Sequence, residues 1–120
     1  HGPRMKLHHW PAVAREQMNA QVVRQHIHAT NMTVARLEIQ KGAVVPEHHH
    51  LNEQLSLVGS GRMKFIFPDK TIEAGPGDMV EIPPHVPHRV EFLEDCVVFD
   101  LFAPVREDWI RGDDAYLRQK

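Results

Sequence analysis

From residue 21 to residue 103 the chain is a succession of short runs in which apolar and polar residues alternate, each closed by a turn signal. A period of two puts successive side chains on opposite faces of an extended strand. Ala35, Leu37 and Ile39 form one face of such a run; Val34, Arg36 and Glu38 form the other, which meets either solvent or a polar cavity. Met63, Phe65 and Phe67 alternate in the same way with Arg62 and Lys64. Thr30-Asn31, Lys41-Gly42, Gly59-Ser60-Gly61, Pro68-Asp69-Lys70 and Gly75-Pro76-Gly77-Asp78 supply the turns. Regularly spaced short strands with no helix between them predict an all-β sandwich or barrel. The expected strands are 21–29, 32–39, 54–58, 62–67 as the hairpin partner of 54–58, 71–74, 79–82, 88–93 and 96–103. Residues 5–20 read as an arm with a short helical turn, and 106–116 as a short helix carrying Trp109 and Ile110.

A chain of 120 residues suits one core and is too short for two, so a single domain over 5–120 is expected. His1-Gly2-Pro3-Arg4, ahead of Met5, reads as a tag remnant. With 14 Lys and Arg against 16 Asp and Glu, the charge invites neither nucleic acid nor an anionic membrane. No apolar run approaches the ~18 residues of a membrane span. The lone Cys96 cannot form an internal disulfide and favours a reducing compartment. A soluble, cytoplasmic protein is the expectation.

The chemistry concentrates in residues 42–61, GAVVPEHHHLNEQLSLVGSG. His48 and His50 are two apart, so on a strand they point to one face while His49 points away. Gln54 keeps the even parity if the Leu51-Asn52-Glu53 link preserves the register. Two imidazoles and an amide oxygen form most of a metal shell, although glutamine binds metals weakly and the alternative for Gln54 is a hydrogen bond to a ligand or water. Glu53, the competing carboxylate, has the wrong parity. His49, His85, His26 and His28 read as rim or surface residues, and His8-His9 as surface or interface.

These stretches resemble the two signature motifs of the cupin superfamily, small β-barrels with a metal inside. Gly42, His48, His50, Gln54 at the usual Glu position and Gly61 match the first motif. Gly77, Pro83 and His88, in GPGDMVEIPPHVPHRVEF, match the second, with His85 in place of its last glycine and Phe92 in place of its asparagine. The resemblance implies a jelly-roll-like double-stranded β-helix barrel, with His88 as the remaining ligand of a divalent transition metal.

The last strand holds a second constellation in VVFDLFAPVRED: Asp100, Phe102 and Arg106. A carboxylate amid Val97, Val98, Phe99, Leu101 and Phe102 is costly to bury unless paired or used. Desolvation raises such a pKa, as general acid–base work requires. The plainer reading is a structural Asp100–Arg106 ion pair.

An Asp, a Phe two later and an Arg four further on, behind a metal site containing Gln, narrows the resemblance to KdgF-type cupins of pectin degradation. That group implies His48, His50, Gln54 and His88 as ligands and Asp100, Phe102 and Arg106 as catalytic residues. It further implies conversion of 4,5-unsaturated monouronates into open-chain keto-uronates. Nickel, zinc, manganese or iron would each be admissible. The alternatives are an iron-dependent cupin dioxygenase and a non-catalytic cupin that binds a small molecule. Eight aromatic residues are few for a core, and small barrels have sheet edges to protect. A homodimer covered by the Met5 to Ala20 arm is therefore expected, as the resemblance also implies.

Overall fold

The computed structural model describes residues 4–118, so of the expected tag remnant only Arg4 falls among the described residues. A 3-10 turn at Trp10–Ala12 leads into β1 (Glu16–Asn19), β2 (Val22–His28), β3 (Thr33–Ile39), β4 (Val44–His48) and β5 (Glu53–Ser60). Then come β6 (Met63–Ile66), β7 (Thr71–Ala74), β8 (Met79–Ile82), β9 (His88–Phe92) and β10 (Cys96–Ala103). Two short helices follow, α1 (Glu107–Ile110) and α2 (Ala115–Arg118). The strands pair antiparallel in two sheets, ordered β1-β2-β3-β10-β5-β8 and β4-β9-β6-β7. No helix among the described residues is long and apolar enough to cross a membrane.

The alternation read from the sequence is what closes the two sheets on each other. Ala35, Leu37 and Ile39 from β3, Cys96, Val98 and Phe102 from β10, and Met63 and Phe65 from β6 are all buried. Burying one large apolar side chain is worth roughly 1.5–3 kcal/mol. The other face of β3 turns outward, where Arg36 and Arg15 both pair with Glu38. At one end of the barrel α1 and α2 fold back, burying Trp109 and Leu117. Arg24 on β2 meets Asp114 ahead of α2 at 2.8 Å, and Asn19 donates to the Leu117 carbonyl.

Three expectations need correction. β5 and β6 are not a hairpin: β5 lies between β10 and β8, while β6 lies between β9 and β7. The chain changes sheets at Gly61, where φ is +80° and a Cβ would run into the Asp95 carbonyl and approach Cys96 Sγ to 2.7 Å. The arm is not all arm, because Glu16–Asn19 forms the edge strand β1 against β2. Its preceding stretch, with Met5 and Leu7, stays exposed. The C-terminal helix is two helices, split at Gly112 with φ +83°.

Candidate metal centre

Two sheets and the link between them converge on one point. His48 ends β4 directly opposite His88 on β9, so the four-stranded sheet contributes two imidazoles as a cross-strand pair. His50 does not share a strand with His48; it lies in the link that crosses to β5 in the other sheet. Asn52 anchors that link by donating to the Pro104 carbonyl at 2.6 Å. One ring nitrogen from each of His48, His50 and His88 lies within 4.8 Å of the other two.

The hydrogen bonds fix the tautomers. Nδ1 of His48, His50 and His88 lies 2.9, 3.0 and 2.8 Å from the carbonyls of Pro46, Asn52 and Val86. A carbonyl only accepts, so each Nδ1 carries the proton and each Nε2 keeps a lone pair. Burial lowers all three pKa values, helped by the neighbouring imidazoles at His48 and by Arg106 at all three. His48 and His50 fall to about 4. Neutral rings with free Nε2 lone pairs and carbonyl-anchored Nδ1–H groups are what a divalent metal requires.

The six-stranded sheet supplies the opposite wall. Gln54 and Ser56 are successive inward positions of β5, facing Phe102 and Asp100 across the β5–β10 ladder. Gln54 Nε2 donates to Ser56 Oγ at 2.9 Å, and Ser56 Oγ donates to Asp100 Oδ1 at 2.6 Å. Gln54 Oε1 is thereby turned to His50 Nε2, 2.9 Å away. Because the His50 proton is on Nδ1, these two atoms are both acceptors. Two ligands at right angles on one ion, with bonds of about 2.1 Å, would stand about 3.0 Å apart. The donor set and its spacing therefore fit a metal. Burial pushes the Asp100 carboxyl up to about 6, against the hydrogen bonds from Ser56 and Gln54 and the charge of Arg106. Asp100 lines the cavity at this site.

Arg106 is 1% exposed. Its Nε and Nη2 grip Asp108 at 2.9 and 2.7 Å, and Nη2 also donates to Tyr116 Oη at 2.8 Å. No Asp100–Arg106 ion pair forms, which removes the plainer reading of this pair. The guanidinium fork is already filled by Asp108. Nη1 is its one nitrogen without a hydrogen bond among the described residues. Phe102 packs edge-on against His50 and Trp109, at 5.6 and 5.2 Å, with the Arg106 guanidinium 4.6 Å over its ring. Tyr116 stacks on His48 at 4.5 Å.

The cavity has a volume of about 50 Å³. At ~10–15 Å³ per water this is room for a few waters or an ion, well below the ~300 Å³ of the smallest usual ligand pockets. Tyr116, Trp109 and Leu117 of the C-terminal segment line one side of it.

Of the residues expected from sequence, His48, His50, His88, Gln54, Asp100, Phe102 and Arg106 come together here. His49 and His85 stand outside, their rings 6.4 Å apart. His85 has φ +65°, the left-handed conformation its motif's glycine adopts freely. Ser56, Asn52, Asp108 and Tyr116 were missed. Ser56 had a signal, being a second polar residue at inward parity behind Gln54; the others had none.

A profile described as the Cupin domain matches residues 35–102, more than half of the chain. The chain belongs to the cupin family. An acireductone dioxygenase of Bacillus pumilus (strain SAFR-032) is 32% identical over 70 residues, which are 53% of this chain and 40% of that protein. The chain thus matches less than half the length of that relative. KdgF from Halomonas sp. superposes with a TM-score of 0.74 at 26% identity, covering 80% of this chain and 92% of its own. An RmlC-like cupin from Shewanella frigidimarina NCIMB 400 superposes at 0.81 with 23% identity, over 88% and 96% of the two chains. That last likeness speaks for the fold. The chain is a small cupin that resembles KdgF.

Proposed function

We propose that this cupin is a metal-dependent enzyme acting on small sugar acids, converting 4,5-unsaturated monouronates to open-chain keto-uronates. His48, His50, His88 and Gln54 hold the divalent metal, and Asp100, Phe102 and Arg106 serve the reaction. The observation that carries the reading is the lone-pair contact between His50 Nε2 and Gln54 Oε1, beside a carboxyl poised near neutrality. The likeness to KdgF supplies the substrate class.

A metal bound there polarises substrate oxygens as a Lewis acid. Asp100, with a pKa of about 6, gives a proton to C4 of the enol ether and regains one from the water that adds at C5, and the hemiketal so formed opens to the ketone. Arg106 meets the uronate carboxylate through Nη1 alone, its other nitrogens being held by Asp108 and Tyr116. Phe102 keeps the His50 ring upright and gives the sugar an apolar floor. A sugar acid exceeds the cavity of about 50 Å³, so binding one would require its wall at Tyr116 to give way. The test is loss of the ultraviolet absorbance of unsaturated uronates with the metal-loaded protein. Turnover on at least one epimer is expected; none on any epimer removes the substrate assignment. Similarity to an acireductone dioxygenase favours a second reading, iron-dependent dioxygenation. Oxygen consumption with strict iron dependence would select it.

A further inference from the structure

Gln54 raises a problem that no imidazole does. A carboxamide has one end that attracts a cation and one that repels it, and its shape does not distinguish them. Its orientation has to come from its neighbours. With the His50 proton on Nδ1, a reversed Gln54 would make an ordinary hydrogen bond from its NH₂ to His50 Nε2, and the carbonyl would be lost to the site.

Ser56 holds the other end. It is 1% exposed, so no bulk water competes for its hydroxyl, and it has one proton. That proton goes to Asp100 Oδ1 at 2.6 Å. The hydroxyl can then only accept from Gln54, and it does so from Nε2 at 2.9 Å. The order is set by the ladder, since Asp100 lies opposite Ser56 and Phe102 opposite Gln54.

We propose that Ser56 is a positioning residue: by giving its proton to Asp100 and accepting one from Gln54, it points the Gln54 carbonyl oxygen at the three imidazoles. The inference rests on the reading of Gln54 as a metal ligand. It gives Asp100 a second task, as the acceptor that fixes the direction of the relay.

The experiment measures nickel affinity by chelator competition for wild type and for Ser56→Ala, Gln54→Ala, Gln54→Glu and both double variants. Melting temperatures of the metal-free proteins check folding. Loss of a partner behind a ligand weakens metal binding by roughly 10–100-fold, and Ser56→Ala is expected in that range. Adding Ser56→Ala to Gln54→Ala should cost nothing more. In Gln54→Glu both oxygens are acceptors, so orientation is immaterial and the Ser56→Ala loss should disappear. Ser56→Ala within twofold of wild type, or an equal loss in all three backgrounds, overturns the inference while leaving Gln54 a ligand. Unchanged affinity in Gln54→Ala removes the ligand reading and the inference with it. Should Ser56→Ala not fold, Ser56→Cys makes the same test, since a thiol is a weak acceptor.

Discussion

Asp100 and Asp114 are both carboxylates turned toward the interior, and the molecule treats them in opposite ways. Asp114, 2% exposed, is met by Arg24 at 2.8 Å and Arg118 at 3.1 Å. Burial opposes its charge, but the two guanidinium groups hold its carboxyl below the usual range. Asp100 has only neutral donors, the Ser56 hydroxyl and the Gln54 amide, and burial raises it to about 6. Arg106, the cation that could have neutralised it, is turned to Asp108 instead. One carboxylate fastens the C-terminal cap to β2. The other is left without a cation on the wall facing three neutral imidazoles, where an ionised form is useful only to a bound cation or a reacting proton.

The difference can be attacked from either side. The largest effect is expected at Asp100: Asp100→Asn should lower turnover by roughly 10²–10⁴-fold, the usual worth of general acid–base catalysis. The same change should not lower the melting temperature of the metal-free protein at pH 7. Near-normal turnover sinks the acid–base role.

Asp114→Asn should do the reverse, keeping the chemistry and destabilising the fold by about 3 kcal/mol, as expected when a buried pair loses one partner. Chemical denaturation at pH 7 measures it; a change below about 1 kcal/mol would make the latch an ornament of the surface, where ion pairs are worth that little.

A pH series sharpens the contrast. Asp114 is lowered in the folded state, so its contribution is present above the ordinary pKa of about 3.9 and is lost as pH falls through its lower folded value. The stability gap between wild type and Asp114→Asn should therefore close below about pH 4. Asp100 is raised, so its ionisation weakens the metal-free fold as pH climbs from about 4 to 6. The smallest effect is expected at Glu38, held down to about 2 by Arg15 and Arg36. It is half-exposed and solvent-screened, and Arg15→Ala should leave the melting temperature essentially unchanged.

The strands were legible because alternation is a local property and the inward faces are the apolar ones. Which sheet each strand joins was not. The Gly59-Ser60-Gly61 turn looks like a hairpin until Gly61 is seen wedged against Asp95, and that contact is made by residues far along the chain. β1 was hidden in EQMN, whose polar side chains suit an edge strand and give no apolar pattern. At the site, the spacing of His48, His50 and Gln54 was legible although the strand parity behind it was not the cause, since His50 sits in the crossing link. That Arg106 pairs with Asp108 was not legible, because a buried Asp in the preceding strand is a more obvious partner than one two residues on. Tyr116 could not have been foreseen: its place on His48 depends on how the C-terminal segment folds back.

The metal centre itself is tested most directly by titrating metal-free protein with nickel and with zinc, for wild type and for His48→Ala combined with His50→Ala. The wild type should take up one equivalent per chain and the double variant none. Stoichiometric uptake by the double variant, or none by wild type, would contradict the assignment of the three imidazoles and Gln54 as its ligands.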